Sequence, residues 1–554
     1  MTKRSLSPVH HLPPAKRTHL SPFPTPTSIP LARSSGFESL YDELILHIFT
    51  CLSYTDLCTL QSTNRNWARL SLDNQLWKNL YLREFGRLRL RGFRGFAGRK
   101  DGRETKGLPG RVAAEGVQDW KRMFRISANW RNGRCQVSTL DEMATTSHTS
   151  TSQTSQQRVG TSTLEREANV PQIALAGKYI IMSTPGLSHS PLVLVLSPAV
   201  PKHVIHVTPI RAQQPVRVTT LAVDQSSRMS ANLHIAVCLS NGDVYVHELY
   251  SPSRKHHYAP PFKTPRTAPI IQAGYSHPVL VTLSESFSLS VYDLTHEAMQ
   301  VVHVLTSFTS FPPTSLVLTM PEPQIYKLLL TYASPVYPAH WSVGVTEVIL
   351  ASANTSFHGP PSPSTSPTRP PSLVCTRSTR AFDIPAGWVD EAKLRVVRKQ
   401  WGRKVGGVAA TQTDGRWVVL APALAGEEAR SPSGGFTPAS LPLQLYRLST
   451  PPVRASTGAV PKLTFVRNLL GPTSPVSALA LADGRCVSLG VDGRVWVWDL
   501  ENEWGKEVTS PEVGSCEWED PVSGLEGTIA FDERRIITAG ASGNVLVRDF
   551  DFDN

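Results

Sequence analysis

The sequence has little cysteine, and its cysteines form no recognisable unit. Its 554 residues contain seven cysteines, and no two of them make a Cys-x-x-Cys pair. They are Cys51, Cys58, Cys135, Cys238, Cys375, Cys486 and Cys516. An odd, dispersed set argues against a disulfide framework and against a zinc module. We therefore expect the protein in a reducing compartment, the cytoplasm and/or the nucleus.

Long apolar runs and catalytic motifs are absent as well. No stretch approaches the roughly 18 consecutive apolar residues that predict a membrane span, and the first residues lack the apolar run of a signal peptide. The sequence contains no Gly-x-x-x-x-Gly-Lys loop, no His-Glu-x-x-His and no Gly-x-Ser-x-Gly elbow. The adjacent pairs His10-His11 and His256-His257 would point to opposite sides of a strand, which disfavours a shared metal. We expect no catalytic residue, no cofactor and no metal site.

Proline is abundant, with 45 residues, and it is concentrated in stretches that are also rich in Ser and Thr. Such segments cannot bury an apolar core. We predict that residues 1–36 are a disordered basic tail, and that disordered insertions lie near 141–165 and 354–373.

The formal net charge of +12 is unevenly spread along the chain. Residues 83–111 carry ten Lys/Arg and three Asp/Glu, a net charge of about +7. The run Arg-Gly-Phe-Arg-Gly-Phe within it mixes cations with aromatics, as single-stranded nucleic-acid sites do, although a solvated loop has the same composition. Residues 86–132 are therefore predicted as a basic insertion followed by a linker helix, in which Trp120, Phe124 and Trp130 pack.

A small helical unit is predicted over residues 37–85. Apolar residues recur at helical spacing in several short segments, and each segment follows a residue able to cap a helix. The candidate caps are Thr55 or Asp56, Asn64, and Asp73 or Asn74. A unit of about fifty residues buries only a modest fraction of its surface. The surplus apolar surface indicates a partner.

This unit resembles the F-box family through "LYDELILHIFTCLSYTDL", "TNRNW" and "DNQLWKNL". It departs from the usual family pattern at Tyr41, where Pro is common, and at Asn64, where Cys is common. The positions that keep the pattern are Leu40, Glu43, Leu44, Ile48, Phe49, Leu52, Asp56, Leu57, Arg65, Trp67, Leu76 and Trp77.

After Gly133 the apolar period changes from 3.6 towards 2. Short strand patterns separated by Gly-containing turns recur, most clearly in "GRCVSLGVDGRVWVWDL" and "RRIITAGASGNVLVRDF". A repeat of about forty residues with four short strands is typical of a propeller blade.

The repeats resemble the WD-repeat family in a degenerate form, with Trp498-Asp499 as the one intact Trp-Asp dipeptide at a repeat end. We predict a propeller of seven blades over residues 133–554. The predicted blade cores lie near 172–198, 203–250, 258–296, 300–352, 378–449, 462–501 and 508–551. The strand after Gly133 is expected to pair with the last blade and close the ring.

The predicted fold is therefore multidomain, a small all-α F-box followed by an all-β propeller. The resemblance implies the substrate-recognition subunit of an SCF (Skp–cullin–F-box) ubiquitin ligase, a non-catalytic protein. Its expected partners are the SCF adaptor, the cullin scaffold and a protein substrate, phosphorylated or not, with no membrane. The residues expected to dock the adaptor, or to form the core beneath the docking surface, are Leu40, Leu44, Ile48, Phe49, Leu52, Leu57, Trp67, Leu76 and Trp77. The alternative is a nuclear propeller scaffold that binds nucleic acid or protein through residues 83–111.

Overall fold

The structure is a computed structural model, which describes twenty-two stretches or single residues. These are 40–86, 106, 108, 119–140, 170–197, 200–209, 214–226, 233–249, 255–258, 268–295, 299–306, 309, 311–322, 324–336, 340–352, 370–381, 395, 405–423, 442–454, 459–509, 527–540 and 544–552. The predicted tail 1–36 and the predicted insertion 141–165 lie outside these residues.

The described residues form five helices and 28 strands, and they divide into two compact units with the boundary between Leu76 and Trp77. The helices are α1 (Asp42–Phe49), α2 (Tyr54–Leu60), α3 (Arg65–Ser71), α4 (Asn74–Glu84) and α5 (Trp120–Asn132). Among the described residues, no helix has the length and apolar character needed to cross a membrane.

Short polar residues begin the helices, because their side chains accept hydrogen bonds from the free N–H groups of the first turn. Ser53 caps α2 and forms a capping box with Asp56, whereas the sequence had suggested Thr55 or Asp56 as the cap. Asn64 Oδ1 accepts from the backbone N–H of Trp67 at 2.8 Å and caps α3, as predicted. Asp73 accepts from the first turn of α4 in the same way.

The strands form seven four-stranded antiparallel sheets in the described part of the chain, the blades of a propeller. Blades 1 to 3 are β2 (Ile173–Ala176) to β5 (Val200–His206), β6 (Val218–Val223) to β9 (Lys255–Tyr258), and β10 (Ile270–Ser276) to β13 (Gln300–Leu305). Their inner strands are β3 (Tyr179–Ser183), β4 (Leu192–Ser197), β7 (His234–Leu239), β8 (Val244–Glu248), β11 (Val279–Ser284) and β12 (Leu289–Asp293).

Blades 4 to 6 are β14 (Pro313–Glu322) to β17 (Pro371–Arg380), β18 (Val408–Thr413) to β21 (Lys462–Leu469), and β22 (Val476–Ala482) to β25 (Trp504–Glu507). Their inner strands are β15 (Ile325–Val336), β16 (His340–Ser352), β19 (Trp417–Pro422), β20 (Leu443–Ser449), β23 (Arg485–Gly490) and β24 (Val495–Asp499). Blade 7 joins β26 (Gly527–Phe531), β27 (Arg535–Gly540) and β28 (Val545–Asp549) to β1 (Gln136–Thr139) from the start of the domain.

The predicted closure of the ring is confirmed by the pairing of β1 with β28. The register runs from Gln136 opposite Asp549 to Thr139 opposite Leu546. Because β1 supplies the fourth strand of blade 7, that blade reaches the size of its neighbours and its third strand is not left as an open edge.

The seven-blade architecture is confirmed, but the predicted blade cores are displaced along the chain. The second predicted core began at 203, whereas blade 2 begins at Val218, and residues up to His206 complete blade 1. The fourth began at 300, although Gln300–Leu305 is the outer strand of blade 3. The central hairpin of each blade carries a clear turn signal, whereas the outer strand has a weak sequence pattern. The predicted blade boundaries were therefore wrong.

One end of the predicted insertion 354–373 is also corrected. Pro371 is the first residue of β17, the outer strand of blade 4, and Leu373 lies within the same strand. Proline is tolerated at the start of an edge strand, where its missing N–H removes no bond between strands. Residues 354–369 lie outside the described part of the chain.

Apolar side chains of neighbouring blades interlock to form the core. Val193 and Ile181 of blade 1 share one buried cluster with Ile235 of blade 2. Trp498 of blade 6 is buried in a cluster with Trp417 of blade 5, and Trp496 packs against the same cluster. The two alternating tryptophans of β24 therefore pack between blades 5 and 6.

Helix α5 packs on blades 6 and 7, which confirms the predicted linker helix. Trp130 is fully buried, its ring stacks on Phe550 with centroids 4.0 Å apart, and its Nε1 donates to Glu533 O at 2.9 Å. Arg122 and Arg125 both bind the carboxylate of Asp551. Burial raises the pKa of Asp551, but the hydrogen bonds from the two arginines lower it by more, so the net pKa lies below the ordinary value.

Gly133 ends α5 in the left-handed conformation, with φ 68°. A Cβ at this position would overlap the carbonyl oxygen of Glu507. Gly86 has nearly the same backbone conformation, with φ 73°, but a Cβ there would meet nothing within 4 Å. Alanine substitutions at the two glycines therefore allow the cost of backbone strain to be measured separately from the cost of the steric clash.

We predict that Gly133→Ala lowers the free energy of unfolding by at least ~3 kcal/mol, because backbone strain and the clash with Glu507 add together. Gly86→Ala, the matched control, should cost only about 1 kcal/mol, from backbone strain alone. Urea denaturation followed by tryptophan fluorescence measures both. Equal losses in the two variants would show that Gly133 is not required for close packing.

Candidate functional site

The first turns of the F-box leave apolar side chains in solvent. On α1, Leu44 is 50% and Ile48 37% exposed, and Tyr41, directly before the helix, is 78% exposed. Ile45 and Phe49 on the same helix are buried. The helix thus has one apolar face that builds the core and a second apolar stripe that faces water.

The predicted adaptor-docking residues separate into three groups by exposure. Leu44 and Ile48 are exposed, whereas Leu40, Leu52 and Trp67 are partly exposed. The remaining four are buried and form the core: Phe49, Leu57, Leu76 and Trp77. A side chain without exposed surface cannot contact a partner while the domain stays folded, so the exposed and partly exposed residues are the candidates for direct contact.

The core beneath the stripe fixes the position of α1. Phe49 packs edge-to-face on Trp67 of α3, with ring centroids 6.2 Å apart. Arg69 of α3 binds Asp42 in the first turn of α1, with Nη2 2.5 Å from Oδ2. Motif reasoning missed Ile45, which is 1% exposed, and the exposure of Tyr41, Tyr54 and Leu72. The pattern DELILHIF carries the signal for Ile45, because Ile45 and Phe49 lie one helical turn apart.

The carboxylates at the propeller turns serve the backbone. Asp499 accepts from the N–H groups of Glu501 and Asn502, both at 3.1 Å. Asp492 accepts from the N–H of Arg494 and Asp549 from that of Asp551. These three aspartates thus hydrogen-bond the backbone of turns.

A buried ionic cluster lies inside blade 4. Glu347 of β16 has Lys327 Nζ 3.0 Å from Oε1 and Arg377 Nη1 3.4 Å from Oε2. Lys327 Nζ also donates to Thr450 Oγ1 of blade 5 at 2.7 Å. All three charged side chains are at most 4% exposed, so this cluster connects strands and blades and offers no surface to a ligand.

A second polar cluster joins blades 2 and 3. Asp224 accepts from the backbone N–H of His277 at 2.9 Å and from Ser226, and its Oδ2 lies 3.6 Å from His234 Nδ1. Burial raises the pKa of Asp224, but these contacts lower it by more, and the net pKa is below the ordinary value. Across the described ranges, no group of three or more His, Cys, Asp or Glu residues is arranged to hold a metal ion.

Beyond Gly86, two residues of the basic segment 83–111 are described, and both contact the propeller. The backbone N–H of Lys106 donates to Asp414 O at 2.6 Å, and its carbonyl accepts from the N–H of Asp483 at 2.9 Å. Leu108 is 5% exposed and belongs to the cluster that contains Trp130. Lys106 therefore bridges blades 5 and 6, and Leu108 packs among side chains of blades 6 and 7. Residues 87–105, which carry most of the charge proposed for nucleic acid, lie outside the described part.

Comparisons with known proteins agree with both halves of this geometry. Residues 37–83 match the F-box-like domain family, and residues 201–359 match the β-propeller of F-box protein pof12. F-box/LRR-repeat protein 5 of Xenopus laevis is 44% identical over 48 residues, which are 9% of this chain and 7% of that protein. The match thus spans less than a tenth of that relative.

Three solved structures are similar to this chain at low identity. The Swd1 (Cps50) β-propeller domain of Myceliophteria thermophila has a TM-score of 0.37 and 10% identity, covering 69% of this chain and 96% of that one. The computationally designed protein Ika8 has a TM-score of 0.32, 11% identity and coverages of 69% and 96%. A chain of the mitotic checkpoint complex has a TM-score of 0.35, 14% identity and coverages of 69% and 90%.

The chain thus carries an F-box-like domain at residues 37–83 and a seven-blade β-propeller in which residues 201–359 match the propeller of an F-box protein, as its sequence predicted.

We predict that Phe49→Ala lowers the free energy of unfolding of the helical unit by ~3–5 kcal/mol, because it empties a buried ring site against Trp67. Leu44→Ala, on the exposed stripe of the same helix, should change it by less than about 0.5 kcal/mol. Thermal and urea unfolding followed by circular dichroism measure both. A large loss in Leu44→Ala would mean that the stripe is part of the core.

We predict that Leu108→Ala lowers the free energy of unfolding of the propeller by ~2–4 kcal/mol, since a buried leucine leaves a cavity. Leu470→Ala is the matched control, because Leu470 is 72% exposed and should cost less than about 0.5 kcal/mol. Urea denaturation of the full-length variants is the measurement. Equal stabilities would show that this part of the basic segment does not pack on the propeller.

Proposed function

We propose that the protein is the substrate-recognition subunit of an SCF ubiquitin ligase. In this proposal the F-box docks the SCF adaptor, which links it to the cullin scaffold, and the propeller binds the protein substrate to be ubiquitinated. The protein contributes no catalytic residue and acts in the cytoplasm and/or the nucleus.

The observation that carries the proposal is the exposed stripe of α1. Leu44 and Ile48 lie one turn apart on a helix whose adjacent face, with Ile45 and Phe49, already fills the core. Fully burying one such side chain is worth roughly 1.5–3 kcal/mol, and a partner that covers the stripe recovers the part that the fold leaves exposed. Isolated exposed apolar residues are common, but this stripe falls in the segment that matches the F-box-like family.

The propeller supplies a rigid frame for the second task. Its seven blades are closed by β1, and its aspartates and buried ion pairs are engaged in holding turns and strands. The loops between strands are free to vary on such a scaffold, which is how rigid frames carry binding sites. Such a receptor acts by proximity, because a tethered substrate has a high effective concentration at the ubiquitin-conjugating enzyme.

We predict that the double variant Leu44→Ala/Ile48→Ala binds the purified SCF adaptor at least tenfold more weakly than the wild type. The reason is that the variant removes apolar contact from the docking stripe while leaving the core intact. Titration of the full-length protein by isothermal calorimetry measures the affinity. Leu470→Ala, an exposed leucine of the propeller, is the control and should bind as the wild type does.

The same variants test the whole assembly. Affinity capture of the tagged wild type should recover the adaptor and the cullin, and capture of the double variant should recover neither. Unchanged adaptor affinity in the folded double variant would contradict the docking role of the stripe. Captured wild type that carries nucleic acid, with no adaptor or cullin, would favour the scaffold alternative.

A further inference from the structure

One exposed arginine of the propeller is held by an aromatic ring and has no ionic partner among the residues that the structure describes. Arg380 is the last residue of β17, and its guanidinium carbon lies 5.4 Å from the centroid of the Phe311 ring. Arg416 lies over the Trp417 ring at a similar distance, 5.5 Å, but its charge is neutralised by Glu501. The charge of Arg380 is therefore held in place and open to solvent.

The ring beneath Arg380 is fixed by its neighbours. Phe311 lies two residues before β14, and the hydroxyl of Thr309 donates to Phe311 O at 2.8 Å. The Phe311 ring packs on the ring of Tyr332, with centroids 6.1 Å apart. Tyr332 is buried, and a Cβ at Gly344 would come within 2.3 Å of its ring. The missing side chain of Gly344 thus makes room for Tyr332, which supports Phe311 and, through it, Arg380.

Strand pairing places these groups on one side of blade 4. Tyr332 of β15 is opposite Gly344 of β16, and Gly344 is opposite Arg380 of β17. Residues opposite one another in a sheet project from the same face. Leu330, two residues before Tyr332, belongs to that face and is buried in a cluster with Val281 of blade 3. Arg380 therefore lies on the side of blade 4 that faces blade 3.

The chemistry of this position suits a carboxylate. A stacked guanidinium keeps its N–H donors at the edge of its plane, where they match the two oxygens of a carboxylate. The next pair along the same face is Thr346 and Ser378, whose hydroxyls share a hydrogen bond of 2.8 Å and add no charge. A phosphate dianion is usually bound by a cluster of arginines, whereas one guanidinium neutralises one carboxylate.

We propose that Arg380 binds a carboxylate of the protein substrate, the side chain of an unmodified Asp or Glu in an exposed peptide segment. The inference rests on the proposed function and names a chemical feature that the propeller recognises in its substrate. Arginine is enriched among the residues that dominate interface energies. A guanidinium that is already held by a ring loses less conformational freedom when it binds, so more of the interaction energy appears as affinity.

Pools of random nine-residue peptides with Glu, Gln or phosphoserine fixed at the central position test the inference. Each pool is passed over immobilised full-length protein, and the retained peptide is quantified by mass spectrometry. We expect the wild type to retain the Glu pool at least about threefold more than the Gln pool, because only the carboxylate pairs with the guanidinium. Arg380→Gln should bring that ratio to about one, because it removes the charge. Phe311→Leu should give an intermediate ratio, because the guanidinium is then no longer held by a ring.

The matched control is Arg447→Gln. Arg447 is an exposed arginine of β20 in blade 5, and its substitution makes the same change of charge. It should leave the preference for the Glu pool unchanged. A thermal melt of each variant tests the fold, and Arg380→Gln should melt within about 2 °C of the wild type, because an exposed side chain without an ionic partner contributes little to stability.

Loss of the Glu preference in Arg380→Gln, with its retention in Arg447→Gln, supports the inference. Equal retention of the Glu and Gln pools by the wild type, or a preference that survives Arg380→Gln, overturns it. Stronger retention of the phosphoserine pool than of the Glu pool by the wild type also overturns it, because the ligand is then a phosphate. Calorimetric titration of the same wild-type protein with the SCF adaptor tests the proposed function separately. Adaptor binding without a Glu preference contradicts this inference alone, and a Glu preference without adaptor binding supports the carboxylate site and contradicts the ligase role.

Discussion

The pairing of β1 with β28 is the constraint on which the propeller depends. A ring of blades is closed only if its last sheet is complete, and here the fourth strand of that sheet comes from the start of the domain. Because β1 follows α5 after a short turn, the packing of α5 on the propeller also helps to fix the register of β1. Gly133 turns the chain, Thr509 donates to its carbonyl, and Trp130 rests on Phe550, one residue beyond β28. Helix, turn and closing strand therefore form one connected element.

Neighbouring blades are joined by polar contacts as well as by apolar packing. At the hairpin between the first two strands of a blade, an acidic side chain repeatedly reaches the equivalent hairpin of the next. Asp224 accepts from the N–H of His277, and Asp414 accepts from that of Gly484 at 2.8 Å. Between blades 7 and 1 the equivalent hydrogen bond is made by an arginine, because Arg535 donates to Gly177 O at 2.8 Å. These bonds satisfy the backbone N–H groups of His277 and Gly484 and the backbone carbonyl of Gly177 at the joints between blades.

The sequence predicted much of the fold, because turn chemistry and apolar period are local properties. The hairpin at Asp492-Gly493, the cap at Asn64 and the packing of Trp130 could all be predicted in this way. The blade boundaries could not, because they depend on which outer strand joins which sheet. Strand β17 illustrates the difficulty, since Pro371 has the composition of a loop and the position of an edge strand. Leu108 is a similar case, an apolar residue in a Gly- and Arg-rich stretch that is nevertheless buried.

The candidate docking site shows where motif reasoning stops. A motif records that Leu44, Phe49 and Leu57 occur together. It does not distinguish the residues exposed on the docking surface from those buried in the core beneath it. Burial supplies that distinction, since Phe49 and Leu57 are enclosed while Leu44 stays half exposed. On an eight-residue helix with apolar residues on two sides, one side must face outward whatever the core requires. In the proposed function a partner covers that outward side, and α1 would then contribute both to the folding of the F-box-like unit and to its binding.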